Sequence, residues 1–174
     1  MRIGWIGTPQ TQHYLNIVLP ALEELSKYKE FVLVTIGAHT ISTSGFRVDC
    51  QEWHEHSEVK SLDEIDIGIM PLNDNPWDNG KCGYKLIQYM ALGKPVVASP
   101  VGVNKDIMSE KNGFFAITQQ DWFDALFALL ESPDLRDTLG KNGQLIIKNE
   151  YTTQISGKRI LSILDSLAPE CLSR

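Results

Sequence analysis

The chain is poor in cysteine, contains no long apolar run and carries no excess of positive charge. Its three cysteines, Cys50, Cys82 and Cys171, are odd in number and far apart. That spacing fits neither a disulfide framework nor a CxxC metal site, so reduced thiols in a cytoplasmic compartment are expected. No segment approaches the ~18 consecutive apolar residues of a membrane-spanning helix. Twenty-two acidic residues against sixteen basic ones leave a net charge of −6. That balance argues against nucleic acid or an anionic membrane surface as the main partner. The opening Met1-Arg2-Ile3-Gly4-Trp5-Ile6-Gly7 is interrupted too soon for a secretory signal. Internal repeats, linkers and low-complexity tracts are missing as well. Cys50, His54 and His56 cluster, but no second ligand pair follows at finger-like spacing. The cluster reads as solvated loop, and no metal site is expected.

What is present suits one folded domain, residues 1–174. The apolar fraction of 43% and charged fraction of 22% are ordinary for a soluble chain. A chain of this length buries roughly 68–70% of its unfolded surface and needs no covalent scaffold. Short apolar runs alternate with helical patterns, the signature of crossover units on a parallel sheet. The runs are Arg2 to Ile6, Phe31 to Ile36, Asp66 to Met70 and Pro95 to Ser99, with shorter ones at Phe46 to Val48 and Asn112 to Ala116. The fold class expected is α/β, a Rossmann-like parallel sheet of about six strands with helices on both faces.

Between the strands, a helical pattern runs from Thr11 to Ser26 and is kinked or divided by Pro20, which lacks an amide donor. Ser61-Leu62-Asp63-Glu64 resembles a capping box opening a one-turn helix. Leu72 to Gly83 shows no periodicity. Tyr84 to Leu92 reads as a helix stopped by Gly93. Thr118 to Asp121 is a second capping box, placing Trp122, Leu126, Leu129 and Leu130 on one helical face. Ser132-Pro133 opens another helix. Thr152 or Thr153 caps a final amphipathic helix over about 153–168, carrying Ile160, Leu161, Leu164 and Leu167.

In an open parallel sheet, ligands bind beyond the carboxyl ends of the strands at a topological switch point. Two unusual loops occupy such ends: Gly7-Thr8-Pro9-Gln10 and the twelve residues from Leu72 to Gly83. In the second, Gly80 and Gly83 flank Lys81 and Cys82, allow backbone conformations closed to other residues, and lead into a helix N-terminus that favours an anion. Lys81 adds a mobile positive charge, so a diphosphate would find donors and charge together. Lys81, Tyr84 and Gln88 share a face if helical geometry begins early, and Gln88 can bond a hydroxyl pair such as a ribose presents. The plainer alternative is that the glycines only make a turn and Lys81 is solvated. Lys85 reads as a solvated helix residue, Trp77 as a loop anchor or lid aromatic. His39 and Trp53 read either as plain loop residues or as residues near where a base would stack.

The segments Asp66 to Leu72, Pro76-Trp77, Gly80 to Lys85 and Gln88 to Gly102 resemble the group 1 glycosyltransferases, the large retaining family with a two-domain GT-B fold. Leu139-Gly140, Gly143 and Tyr151-Thr152 add to the likeness, which runs from residue 1 to about 168. The part resembled is the C-terminal, nucleotide-sugar-binding half. In that family a glutamate that contacts the donor sugar is followed, after seven residues, by one that holds the ribose. Alignment on Tyr89 to Pro95 puts Gly80 and Gln88 at those positions, so both carboxylates are absent. Gly7-Thr8-Pro9 stands where many members carry an Arg and Lys pair.

The resemblance implies transfer of a sugar, a hexose in the expected case, from a nucleoside diphosphate. Gly7, Thr8, Gly80, Lys81, Cys82, Gly83, Tyr84 and Gln88 would bind the donor. Lys81 would also stabilise leaving-group charge, and neither metal nor cofactor is required. The acceptor domain lies outside these residues, supplied in cis by a longer chain or in trans. A noncatalytic nucleotide-binding or scaffolding domain is the alternative. A flavodoxin-like or epimerase-like domain would share the alternation but leaves Gly80 to Gly102 unexplained.

Overall fold

The computed structural model describes residues 1–167; Cys171 and the last position of the expected final helix lie outside them. Six strands form one sheet: β1 (Arg2–Ile6), β2 (Val32–Ile36), β3 (Arg47–Gln51), β4 (Ile67–Met70), β5 (Val96–Ala98) and β6 (Gly113–Phe115). Every pairing is parallel, and the spatial order is β3-β2-β1-β4-β5-β6. The order reverses between β1 and β4, which opens the crevice at their carboxyl ends.

Strands β1, β2, β4 and β5 are largely apolar because both faces are covered, whereas the edge strand β3 carries Arg47, Asp49 and Gln51 and is at most half-buried. Side chains alternate between the faces: Ile3, Trp5, Leu33, Ile67, Ile69 and Val97 enter one core. Ile6, Val34, Ile36, Met70, Val96 and Ala98 enter the other. The first core is closed by α1 (Leu19–Leu25) and by Trp122, Leu126 and Leu129 of a later helix. The second is closed by Leu62 of α2 (Glu58–Asp63) and by a helix carrying Leu86, Tyr89 and Met90.

The pattern from Thr11 to Ser26 is divided, as Pro20 dictates. A 3₁₀ turn (Gln12–Ile17) precedes α1, and Pro20 occupies the first turn of α1, where its missing amide is harmless. The capping box expected at Ser61 does not form. Helix α2 begins earlier, at Glu58 behind a 3₁₀ turn, and Ser61 lies near its end. The segment 72–83 is not structureless either. Asn75 caps a helical turn, α3 (Pro76–Asn79), by accepting the Asp78 N–H at 2.9 Å, with Pro76 at the first position. Next come α4 (Tyr84–Ala91), the short α5 (Asn104–Ile107, without a sequence signal), and α6 (Gln119–Glu131). The Thr118/Asp121 capping box opens α6 as expected. Ser132 caps α7 (Pro133–Glu150), and Thr152 accepts from the Ile155 N–H at the start of α8 (Thr153–Leu167). Helix α8 leaves Ile160, Leu161, Leu164 and Leu167 exposed. No helix among the described residues is long and apolar enough to cross a membrane.

Helix α4 is locked to the switch point. The Tyr89 ring packs over Gly68, where a Cβ would lie 2.5 Å from it. The Tyr89 hydroxyl accepts from the Ile6 N–H at 3.0 Å and donates to the Ile69 carbonyl at 3.4 Å. One buried side chain thus ties α4 to the ends of β1 and β4, the strands that border the crevice.

Candidate functional site

A cavity of about 620 Å³ opens at that crevice, within the usual size range for a small-ligand pocket. The Gly7 loop and the 72–83 loop converge on it. Gly7, Thr8, Gly80, Lys81, Cys82, Gly83, Tyr84 and Gln88 all line it, so the structure brings these eight expected donor-binding residues to one place. Thr11, Tyr14, Trp53, Glu58 and Lys85 complete its polar lining.

The glycines act in different ways. Gly83 sits at φ +66° directly before α4, and a Cβ there would lie 2.5 Å from Ile107 Cδ1. Gly80, expected to need glycine's freedom, has φ −82°, and a Cβ at that position would meet nothing nearer than the Trp77 carbonyl at 3.4 Å. Gly7 is small because the Trp5 ring lies beneath it, 2.3 Å from where a Cβ would be. Its amide donates to the Ile36 carbonyl, and the Thr8 amide donates to Thr11 Oγ1. The Gly7 and Thr8 amides are therefore engaged, and these two residues offer clearance and the Thr8 hydroxyl. By contrast, among the described residues none accepts from the amides of Cys82, Gly83, Tyr84 or Lys85. These donors form the positive end of α4, where an anion is favoured.

Lys81 is tethered rather than mobile. Its Nζ lies 3.5 Å from Asp78 Oδ1 and 5.1 Å from the centre of the Tyr14 ring. Asp78 is 1% exposed and is the hub of the loop. It accepts from the Tyr14 hydroxyl, from the Asn73 N–H at 3.2 Å and from Asn75 Nδ2 at 2.9 Å. Burial, together with the Asp78 hydrogen bond and charge, pushes the Tyr14 hydroxyl up to about 12, so it stays a donor.

Lys85 is not the solvated residue its sequence context suggested. Its half-buried Nζ stands 4.7 Å over the Trp5 ring, and no carboxylate among the described residues pairs with it. Burial, and to a lesser degree the Lys81 charge, pulls its pKa down to about 8. Two ammonium groups four residues apart, Lys81 answered in part by Asp78 and Lys85 by no described carboxylate, make this end of the cavity receptive to an oxyanion.

At the other polar end, Glu58 Oε1 accepts from Gln88 Nε2 at 2.6 Å and Oε2 accepts from Trp53 Nε1 at 2.5 Å. Trp53 thus lines the cavity, whereas His39 does not, its amide donating to Gln12 Oε1. Trp77 is 80% exposed and anchors nothing. Tyr14, Asp78 and Glu58 carried no motif, and Lys85 closed the resembled segment Gly80 to Lys85 without its side chain being given a place in the site. Only Asn75-Pro76 with Asp78 offered a readable signal, that of a capped first turn. Among the described residues no three His, Cys, Asp or Glu side chains gather as metal ligands.

The sequence model of the family described as glycosyl transferases group 1 matches residues 1–132. The chain belongs to that family. No curated protein matches it in sequence. Among solved structures, the C-terminal domain of the group 1 glycosyl transferase LpcC from Francisella tularensis is similar, with a TM-score of 0.68 and 19% identity over 88% of this chain and 87% of that one. HepE (Alr3699) from Anabaena, solved with UDP-glucose, gives a TM-score of 0.74 and 17% identity over 95% of this chain. A glycosyltransferase from Rickettsia africae gives 0.76 and 13% identity over 97%. This group 1 chain spans 48% of the length of each of the last two. At these identities the likeness establishes the Rossmann-like fold alone.

Proposed function

We propose that the chain is the donor-binding domain of a retaining GT-B glycosyltransferase, which transfers a sugar from a nucleoside diphosphate to an acceptor held by a second domain. The observation that carries this reading is the mouth of the cavity, where the free amides of Cys82 to Lys85 and the ammonium groups of Lys81 and Lys85 meet. A diphosphate seated there receives hydrogen bonds and charge from one short segment. As the glycosidic bond breaks, negative charge grows on the departing phosphate, and preorganised donors stabilise that charge more than the ground state. In this reading the positive charge comes from the chain, and no metal cofactor is called for. Lys81 is the leaving-group residue. Gln88 faces the ribose, and Thr8 offers its hydroxyl on the opposite loop. HepE has been solved with UDP-glucose, which makes a uridine nucleotide the first ligand to try.

Calorimetric titration with uridine, guanosine and adenosine diphosphates tests the reading, with saturable binding of at least one expected. Transfer itself requires the acceptor domain, in cis or in trans. A second reading is favoured by one observation: Gly80 and Gln88 leave the family's paired glutamates without carboxylates. A noncatalytic binding domain would bind nucleotide yet leave a nucleotide sugar intact when the acceptor domain is restored.

A further inference from the structure

Glu58 has no part in the family motif, yet it lines the cavity beside Gln88. We propose that Glu58 is the carboxylate that reads the vicinal hydroxyls of the nucleotide's ribose, with Gln88 as its partner and Trp53 as its support. The inference rests on the donor-binding reading above and assigns that site a specificity residue.

Four observations lead there. Each Glu58 oxygen accepts one hydrogen bond, Oε1 from Gln88 and Oε2 from Trp53, so each keeps acceptor capacity. No Lys, Arg or His among the described residues pairs with this carboxylate, so its charge is unanswered within the cavity wall. Gln88 Oε1 receives no hydrogen bond from any described residue. Three acceptor oxygens therefore gather at this end, a set that calls for neutral O–H donors. Finally, Lys85 and Gln88 are three residues apart on α4, which places their Cβ atoms about 5–6 Å apart. The cavity is thereby polarised over one helical turn, ammonium groups at one end and a carboxylate at the other. A ligand with an anionic chain on one side of a five-membered ring and a diol on the other enters in one orientation only. Phosphate is drawn to the lysines and repelled by Glu58, while the hydroxyls donate to Glu58.

The pairing also accounts for the amide at position 88. A glutamate there would set two carboxylates within hydrogen-bonding distance, and both could not stay ionised. With the charge supplied from α2, an amide at 88 is the side chain that donates to it. The carboxylate has moved between helices rather than vanished.

The test uses the full chain and the nucleoside diphosphate it binds best, compared with the 2′-deoxy form of the same nucleotide. The ribose form should bind at least about tenfold more tightly, the scale of one charge-assisted hydrogen bond. Glu58→Gln should remove most of that preference while leaving affinity for the deoxy form nearly unchanged. Gln88→Glu should weaken ribose-form binding, and the double variant Glu58→Gln/Gln88→Glu, which exchanges the two groups, should recover it. A Glu58→Gln protein that melts like the parent and keeps the full preference would overturn the inference while leaving the donor-site reading intact. Failure of every nucleoside diphosphate to bind would overturn both.

Discussion

The Tyr14 hydroxyl donates to Asp78 Oδ1, joining the 3₁₀ turn after β1 to the helical turn after β4 across 64 positions of sequence. Through this bond the two loops beside the switch point hold each other, and Lys81, 3.5 Å from the same carboxylate, is held with them. Asp78→Ala would leave the Tyr14 hydroxyl, the Asn73 amide and the Asn75 side chain without their acceptor. We expect a loss of about 3–5 kcal/mol in urea unfolding, the range for breaking a buried charged network. Tyr14→Phe removes one bond to a charged acceptor and should cost about 1.5–3 kcal/mol. A loss below about 0.5 kcal/mol for Asp78→Ala, the usual surface level, would show that the hub does not hold the loop.

Lys81→Ala should weaken nucleoside-diphosphate binding by about 1–3 kcal/mol. Asp78 already answers part of the Lys81 charge, so Lys85→Met should cost at least as much. Calorimetry on the two variants decides the order. Unchanged affinity in Lys81→Ala would remove that residue from the site.

The depressed pKa of Lys85 gives binding and stability opposite pH dependences. In the unfolded chain a lysine titrates near ~10.4; in the folded chain Lys85 is pulled down to about 8 by burial and by Lys81. Between those values the unfolded state holds more protons, so stability rises with pH across this window. Binding behaves the other way. An anion favours the ammonium, so above about pH 8 nucleotide should bind with proton uptake and weaken as pH climbs. Titrations at alkaline pH in buffers of different ionisation heat measure the uptake directly. Lys85→Met should abolish it, and uptake that persists in that variant would assign it elsewhere.

Gly83 and Gly80 should respond differently to the same change. Gly83→Ala forces a side chain into φ +66° and against Ile107. At least about 1–2 kcal/mol of destabilisation is expected from the backbone alone. Gly80→Ala has a helical φ and room for its methyl, so thermal unfolding should stay within about 0.5 kcal/mol of the parent. Equal effects would contradict the loop geometry.

Much of the fold was legible because it rests on local chemistry. The runs Phe31 to Ile36 and Asp66 to Met70 announced buried strands, observed as Val32–Ile36 and Ile67–Met70, and Thr118 with Asp121 announced α6. Misreadings fell where two local signals competed. Ser61-Leu62-Asp63-Glu64 has the form of a capping box, but Leu62 is buried and α2 had to begin earlier to place it in the core. The asparagine-rich stretch 72–83 hid a capped turn because Asn75-Pro76 serves a loop and a helix start equally well.

The sequence alone determined the strand–helix alternation, the position of both loops that border the cavity and the family, since periodicity, turn chemistry and motif spacing are properties of neighbouring residues. Only the tertiary structure decided which side chains share the cavity. Lys85 turns over Trp5, Asp78 binds Tyr14, and Glu58 reaches Gln88 from another helix. Such contacts join residues far apart in the chain, and they form only when strand order closes β1 against β4 and the cores dictate how each helix is turned. Spacing along a chain carries no record of that closure.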